Sequence, residues 1–351
     1  MNRFLQLHLL TSYPPSNLNR DDLGRPKTAM MGGETRLRVS SQSLKRAWRT
    51  SDTFVEALQG HVGTRTKEMG NRTAKLLTDT GVKEKQAREW ARAIAEQFGK
   101  LKKAKDDGSE EGLHIEQLAH FGPEEEAGVD ALCKALAERQ SAPEAEELKL
   151  LRGDQQAADI ALFGRMLAAA PRFNVEAAAQ VAHAITVHKV AVEDDFFTAV
   201  DDLNNGEEDM GAGHMGETEF GAGLFYLYVC IDRELLVKNL QGDRELANKT
   251  LAALVESAAT VSPTGKQNSF ASRARASYLL AETGNQQPRS LSVAFLESIR
   301  GKTMLKEAIE RLTDARDKMD RVYGSCSDKD AVLNAYTGEG SLADVIACAT
   351  E

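Results

Sequence analysis

Residues 36–49 (RLRVSSQSLKRAWR) are of types that suit phosphate binding. The segment begins with the alternation of a short strand, breaks at Ser40 and Ser41, and resumes with helical spacing. Either serine suits the N-cap of a helix, whose first backbone N–H groups have no intrahelical acceptor. Ser41, Lys45 and Arg49 are spaced i, i+4 and i+8 and therefore share one helix face. Free N–H groups, hydroxyls and several cations exceed what a single phosphate needs, so the segment predicts a site for a phosphate chain.

Groupings that would support catalysis are missing from the sequence. Gly265-Lys266 lacks the upstream glycine of a nucleotide-binding loop, and the dinucleotide, zinc-protease and serine-hydrolase motifs are absent. His183 and His188 are five residues apart and share no helix face, which favours core or surface histidines over metal ligands. Asp194-Asp195 and Asp201-Asp202 have no adjacent lysine or histidine, which favours solvated charge. The sequence therefore predicts no catalytic group, no metal site and no cofactor.

The charges of the chain are segregated. The net charge is −9, which argues against an anionic partner. Residues 1–50, however, hold nine Lys/Arg against three Asp/Glu, a local balance of +6, whereas residues 193–219 hold ten Asp/Glu and no Lys/Arg. A basic groove on an acidic body explains this pattern. Pairing of basic and acidic faces, within the fold or between subunits, explains it equally well.

The composition is that of a soluble globular protein, with 351 residues, 42% hydrophobic and 28% charged. No apolar run approaches the roughly 18 to 20 residues of a membrane span. The first residues, MNRFLQLHLL, lack the features of a signal peptide. The four cysteines show no CxxC spacing, which fits a reducing compartment. We therefore expect a cytoplasmic protein with no membrane partner.

Hydrophobic periodicity predicts strands that alternate with helices around a helical insertion. The predicted strands are 4–10, 36–39, 159–166, 188–192 and 223–232, with further candidates at 277–281 and 290–295. The predicted helices are 71–79, 84–103, 124–139, 143–151, 175–186, 244–261, 304–323 and 342–350. Residues 11–33 are predicted to form a long loop, and 193–223, with six glycines, an extended arm or hairpin. This order predicts an α+β domain built on a small sheet.

Met166 and the adjacent Phe196 and Phe197 each allow two interpretations. A methionine at the end of a strand is usually core filler, but beside a basic groove it would act as an apolar wedge that unstacks bases. One of two adjacent aromatic residues in an extended segment must point outward. It would either cover a subunit contact or stack beside a base.

Several segments resemble the CasC family, the repeated backbone subunit of type I-E Cascade, which is a CRISPR surveillance complex. The resemblance is carried by SNLNRDD (16–22), Gly32-Gly33, RVSSQSLKR (38–46), DIALFGRM (159–166), HAIT (183–186), FTAVDDL (197–203), GETEF (216–220) and Phe225-Tyr226. It is close over about the first fifty residues and over 159–230, and loose over 52–150 and the C-terminal third.

The resemblance implies a hand-shaped α+β subunit, with a modified RRM-like (ferredoxin-like) palm, a helical fingers insertion and an extended hairpin thumb. The palm would comprise residues 1–54, 156–192 and 224–351, the fingers 55–155, and the thumb 193–223. Copies of the chain would form a helical filament along one CRISPR RNA (crRNA), together with the other Cascade subunits. The guide would then be presented for base pairing with target DNA.

The resemblance also implies which residues contact RNA. Palm residues would hold the RNA backbone irrespective of its sequence, and the thumb of one copy would displace a base on the next. The backbone contacts would come from Arg20, Lys27, Ser40, Gln42, Lys45, Arg46 and Arg49, and the base displacement from Met166 and Phe197.

Two other interpretations stay open. An RNA-processing ribonuclease on an RRM-like fold would need a metal or histidine constellation that the sequence does not offer. A self-assembling structural protein would use its basic face to bind the acidic arms of its copies instead of RNA.

Overall fold

The computed structural model describes residues 1–103, 109–199 and 214–351. They form two compact units. The first, the sheet unit, comprises Met1–Phe54, Val181–Cys230 and Leu251–Glu351, and the second, the helical unit, comprises Val55–Gln180 and Ile231–Thr250. The finer division into palm, fingers and thumb stays a prediction.

Strands and helices are mixed along the chain, which confirms the α+β class. The strands are β1 (Phe4–Ser16), β2 (Thr28–Met31), β3 (Glu34–Val39), β4 (Thr64–Thr66), β5 (Ala119–Phe121), β6 (Ala179–Val181), β7 (Ala184–Thr186), β8 (Glu193–Ala199), β9 (His214–Asp232), β10 (Ala276–Gly284) and β11 (Lys329–Asn334). The helices are α1 (Ser41–Arg49), α2 (Asp52–Ala57), α3 (Met69–Asp79), α4 (Glu84–Ala95), α5 (Pro123–Arg139), α6 (Ala158–Phe163), α7 (Arg233–Asn239), α8 (Arg244–Thr260), α9 (Gln267–Phe270), α10 (Met304–Tyr323) and α11 (Leu342–Thr350).

The sheet unit is built on an antiparallel sheet whose strands follow the order β11-β10-β1-β9-β7-β3-β2. The inner strand β1 is buried on both faces, since Leu5, Leu7 and Leu9 and also the polar Gln6 and His8 are almost completely enclosed. The alternation of Leu5, Leu7 and Leu9 with Gln6 and His8 is what marks the first half of this strand in the sequence.

The hairpin β2–β3 occupies part of the segment that was predicted to be loop. Gly32 and Gly33 connect the two strands with φ values of 60° and 77°. Positive φ at both turn residues suits the two-residue turn that matches the twist of a hairpin, and glycine adopts it without steric penalty. The hairpin carries the chain to the end of β3, where α1 begins.

The helical unit packs α3, α4 and α5 against the two-stranded sheet β4–β5. Trp90 and Ile94 of α4 and Phe98 beyond it are buried, as their helical spacing predicts. The rings of Phe98 and Phe121 lie 4.6 Å apart in this core. The predicted helix 84–103 ends at Ala95, and 143–151 forms turns instead of a helix.

Four further element predictions are wrong. Residues 159–166 form most of helix α6 and the turn after it, not a strand. Residues 175–186 contain the short strands β6 and β7, not a helix, and 188–192 form no strand. Residues 292–295 form a 3-10 helix where a strand was a candidate. For α6 the reason is that five of its six residues are buried, because a short segment buried on nearly all sides carries no periodicity that separates helix from strand.

Candidate nucleic-acid interface

Helix α1 begins as the two serines predict. Ser40 is the N-cap, and its hydroxyl accepts a hydrogen bond from the Ser43 N–H at 3.3 Å. Leu44, Ala47 and Trp48 are buried beneath the helix, which fixes its rotation about its axis. The N–H groups of the first two helical residues have no intrahelical acceptor, so the helix start offers two donors and the positive end of its dipole.

The loop after β1 is held against this helix start. Asn19 accepts a hydrogen bond from the Ser40 N–H at its side-chain Oδ1 and one from the Lys27 N–H at its carbonyl, each at 2.8 Å. The Arg38 N–H in turn donates to the Lys27 carbonyl at 2.8 Å. These bonds bring the predicted contact residues Lys27 and Arg20, which is exposed, to the same end of α1 as Ser40.

A second loop, residues 263–266, packs on the first. A Cβ atom on Gly265 would lie 2.3 Å from the Leu18 carbonyl oxygen and 2.7 Å from that of Asn17, so only glycine fits. The following Lys266 donates from Nζ to the Thr218 hydroxyl at 2.8 Å. The sequence alone shows Lys266 only as one cation in a polar turn, because nothing local connects it with residues 17 and 18.

The remaining predicted contacts lie along the outer surface of α1. Gln42 and Arg46 are exposed, whereas Lys45 and Arg49 are half-buried. Burial lowers the pKa of Lys45, because desolvation disfavours the charged ammonium. A phosphate beside Lys45 would offset this effect, since an opposite charge favours the ammonium form.

Two arginines of the same segment have other roles. Arg36 is fully buried and donates to the carbonyls of Thr186 at 3.0 Å and Phe295 at 3.3 Å, so it ties β3 to β7 and to the 3-10 helix at 292–295 and presents no charge at the surface. Arg38 donates from Nη1 to Nδ1 of His183 at 2.8 Å. Burial, with the nearby charges of Arg38 and Lys27, lowers the pKa of His183 and keeps its imidazole neutral.

A groove of about 520 Å³ continues from the C-terminal end of α1. Its walls are the end of α1, the start of α2, and residues 260–275. Arg273 and Arg275 are exposed on this wall, and neither side chain has an ion-pair or hydrogen-bond partner within residues 1–103, 109–199 and 214–351. The groove also contains the carboxylate of Asp52, so its charge is mixed but mainly positive.

The acidic arm begins as an antiparallel hairpin, as predicted. β8 pairs with the first half of β9, and Phe197 lies opposite Gly216. The Phe197 ring covers this glycine, because a Cβ atom there would lie 2.4 Å from the ring. Phe197 is 41% exposed and Phe196 61% exposed, so both keep apolar surface available. The predicted acidic pair Asp201-Asp202 lies outside the described residues.

Met166 belongs to the helical unit. Its side chain is 77% exposed, which excludes the core-filler interpretation. RNA contact by Met166 and by the other predicted residues stays a prediction.

The described part of the chain contains no group of three or more His, Cys, Asp and Glu side chains arranged to hold a metal ion. Within the same residues, none of the helices combines the length and the apolar character needed to cross a bilayer. What the sheet unit does assemble is a continuous set of N–H groups, hydroxyls and cations around α1, which is the chemistry that binds phosphates.

Comparison with known proteins points in the same direction. A family model described as CT1975-like protein matches residues 5–348. A chain of a solved structure described as "CRISPR RNA-guided surveillance complex, pre-nicking" is 31% identical, with 99% of this chain and 100% of that chain covered and a TM-score of 0.84. A chain from a "CRISPR RNA-guided surveillance complex" is 26% identical, with 97% and 94% covered and a TM-score of 0.73. No curated protein sequence matches the chain.

Proposed function

The chain belongs to the CT1975-like family and is similar to CasC-like backbone subunits, and from this premise we propose that it is the non-catalytic crRNA-binding backbone of a type I-E Cascade complex. Several copies bind one crRNA, form a helical filament with the other Cascade subunits, and present the guide to target DNA. The observation that carries the proposal is the capped start of α1, to which two loops bring Lys27 and Arg20.

The chemistry of this site suits a guide whose sequence varies. Backbone N–H groups, hydroxyls and cations contact phosphates, which are the same at every nucleotide and carry no sequence information. Recognition of the target is then left to base pairing between guide and DNA. The Ser40, Gln42, Lys45, Arg46 and Arg49 positions follow the helix from its N-cap to its last residue.

The finer fold assignment is part of the proposal. The sheet unit would form an RRM-like palm, most of the helical unit the fingers, and the hairpin β8–β9 the thumb. The antiparallel sheet with α10 packed on one face supports the palm assignment, since Leu280 of β10 and Leu312 of α10 belong to one buried cluster. A filament follows if one face of the palm binds a different face of the next copy, because such contacts need not close into a ring.

The decisive experiment measures binding of a fluorescein-labelled single-stranded RNA of mixed sequence to the purified chain over a salt series. We expect the Lys45→Ala/Arg49→Ala double variant to bind more weakly and to lower the slope of log K against log salt by about 0.7 for each phosphate that the protein no longer neutralises. Electron microscopy at low salt should show filaments that require RNA.

A matched control removes two positive charges from another part of the chain. Lys329 lies on the edge strand β11, five strands away from β3, and Lys318 lies on α10, so Lys318→Ala/Lys329→Ala should leave the slope unchanged. Filaments that form without RNA and resist nuclease would contradict the proposal, as would equal binding by both double variants. Metal-dependent cleavage of the RNA would support the ribonuclease interpretation instead.

A further inference from the structure

His183 is an exposed histidine at the strand end where α1 begins. In the pairing of β3 with β7, Val39 lies opposite Ala184. The next residues in this register are Ser40, which caps α1, and His183. The fold thus places an imidazole beside the helix start, where the spacing of histidines in the sequence indicates no role for it.

The side chain of Arg38 reaches from β3 to this histidine. Its Nη1 donates to Nδ1 of His183 at 2.8 Å, and its Nε donates to the Thr28 carbonyl at 3.4 Å. A guanidinium has five N–H groups and cannot accept a hydrogen bond, so these two bonds leave three N–H groups for another molecule. None of the three has an acceptor within residues 1–103, 109–199 and 214–351.

The partner of Arg38 is a neutral imidazole. Because a guanidinium only donates, Nδ1 of His183 must accept, and the ring proton is assigned to Nε2. Burial, and after it the charges of Arg38 and Lys27, lower the pKa of His183, so the ring stays neutral at neutral pH. His183 therefore directs the guanidinium without cancelling its charge.

Lys27 adds a second positive charge beside Arg38. The Arg38 N–H donates to the Lys27 carbonyl at 2.8 Å, and the charge of Lys27 acts on His183. In the part of the chain that the structure describes, neither Lys27 nor Arg38 pairs with a carboxylate. Two neighbouring cations repel each other unless an anion lies near both. The two cations and the Nε2–H of His183 are all donors, which suits an anionic ligand.

A purely structural role explains this choice of partner less well. Other arginines of the sheet unit are held by carboxylates, as Arg25 is by Asp21 at 3.3 Å and Arg300 by Glu34 at 2.7 Å. A carboxylate at position 183 would fix Arg38 through a stronger, charge-assisted bond, but it would also neutralise the arginine. A neutral acceptor fixes the orientation and leaves the whole charge for a ligand.

We propose that Arg38, together with Lys27, binds a phosphate of the RNA, and that His183 is a positioning residue that orients the Arg38 guanidinium for it. The inference rests on the proposed function and adds two residues to the interface. A guanidinium can contact two phosphate oxygens at once. One that is already held in a single orientation loses less conformational freedom when it does so.

The contact by Arg38 is tested by RNA affinity over a salt series. Arg38→Ala should bind about tenfold more weakly and lower the salt slope by about 0.7, as expected for the loss of one phosphate contact. Arg38→Lys keeps the charge without the planar fork, so it should keep the slope and bind with intermediate affinity. Arg321→Ala, which removes an exposed arginine of α10, is the matched control and should leave both values unchanged.

The positioning role is tested at His183, whose exposed side chain can be replaced without disturbing the core. His183→Phe removes the acceptor and should weaken binding about threefold, because Arg38 must then be ordered on binding. His183→Asn places Oδ1 where Nδ1 was and should restore the affinity. His183→Asp also accepts from Arg38 but neutralises it, so it should bind more weakly than His183→Phe and lower the slope by about 0.7. A structural role alone would make the Asn and Asp variants equal.

The outcomes separate this inference from the proposed function. A chain that binds no RNA would overturn both. Arg38→Ala binding like Arg321→Ala, while Lys45→Ala/Arg49→Ala binds weakly, would overturn the inference alone. Equal binding by His183→Asn and His183→Asp, or His183→Phe binding as tightly as the wild type, would overturn the positioning role.

Single-stranded DNA of the same sequence identifies the group that Arg38 contacts. Because DNA carries the same phosphates, Arg38→Ala should lose affinity for both nucleic acids by the same factor. A loss confined to RNA would assign Arg38 to a ribose hydroxyl and overturn the phosphate contact. An Arg38→Ala variant that loses RNA-free self-association but keeps its RNA affinity would also overturn it, since an acidic segment of a second copy would then be the ligand.

Discussion

At the residue scale, three ionisable side chains are enclosed together in the sheet unit. His8 on β1 lies 3.2 Å from Glu282 on β10, and Arg289 donates to both oxygens of Glu282 at 2.7 and 3.0 Å. The network assigns the neutral tautomer of His8: Nε2–H donates to Glu282, while Nδ1 accepts from the Tyr226 hydroxyl at 2.9 Å. The buried network thus consists of the ionised carboxylate of Glu282, the guanidinium of Arg289 and the neutral imidazole of His8.

The pKa values of this group make the stability of the protein depend on pH. Burial alone would raise the pKa of Glu282, but the hydrogen bonds and charges of His8 and Arg289 outweigh it and lower the pKa from 4.5 to about 2. Burial lowers the pKa of His8 from 6.5 in spite of the hydrogen bond to Glu282. In both cases the unfolded chain binds more protons than the folded one as the solution becomes acidic.

We therefore predict that the free energy of unfolding falls as the pH drops below 6.5, and falls more steeply between 4.5 and about 2. Glu282→Gln should remove the steeper part and lower stability by about 1–3 kcal/mol at pH 7, because Arg289 keeps only its contact with Asp320 at 3.2 Å and loses the two bonds to Glu282. Urea unfolding at a series of pH values measures both effects. Glu351→Gln, in the exposed pair with Lys329, is the control and should change little. Parallel pH profiles for wild type and Glu282→Gln would contradict the prediction.

Single residues differ in how far the sequence reveals them. The buried face of α1, with Leu44, Ala47 and Trp48, follows from spacing within nine residues, and the N-cap follows from residue type. The burial of Arg36 does not, because its partners are carbonyls of residues 186 and 295, far away in the chain. Lys266 was missed for the same reason, since only the fold brings its turn to residues 17 and 18.

At the element scale, predictability depends on whether an element has two different faces. Helices α10 and α11 were predicted with the bounds that they have, because each alternates buried and exposed residues with a helical period. Helix α6 was mistaken for a strand, since five of its six residues are buried and leave no polar face to define a period. Loops that meet through backbone contacts, as 17–18 and 265 do, leave no pattern in the sequence at all.

The meeting of these two loops leads to the next prediction. Gly265→Ala would force its Cβ against backbone oxygens that cannot move aside easily, so the turn carrying Lys266 must shift away from residues 17 and 18. We expect weaker RNA binding and a stability loss of about 1–3 kcal/mol. Fluorescence anisotropy with labelled RNA and thermal unfolding measure the two effects. Gly153→Ala is the matched control, since a Cβ atom there meets nothing within 4 Å. RNA binding by Gly265→Ala as tight as that of the wild type would show that the turn is no part of the interface.

At the scale of the whole molecule, the net charge of −9 is compatible with a polyanionic ligand because the ligand meets only local charge. The basic residues gather around α1 and its loops, whereas acidic residues fill the hairpin, with Glu193, Asp194 and Asp195 on β8. The charge pattern of the sequence alone leaves open whether the basic face binds RNA or acidic partners. The groove beyond α1 bears on this choice, because Arg273 and Arg275 extend the positive surface away from the helix start.

If an RNA strand follows α1 into this groove, binding must depend on RNA length. An oligonucleotide that covers only the helix start should bind wild type and Arg273→Ala/Arg275→Ala equally. A longer one should bind the wild type more tightly, and in the double variant the salt slope should fall by about 0.7 for each phosphate left without its cation. Anisotropy titrations with RNAs of increasing length test this prediction, with Lys318→Ala/Lys329→Ala as the charge-matched control.

The acidic-partner interpretation predicts a different result. The Arg273→Ala/Arg275→Ala variant would impair association between copies of the chain without RNA, and the affinity for RNA would not change with length. A length dependence that disappears with the two arginines, and survives in the control, assigns the groove to the path of the strand.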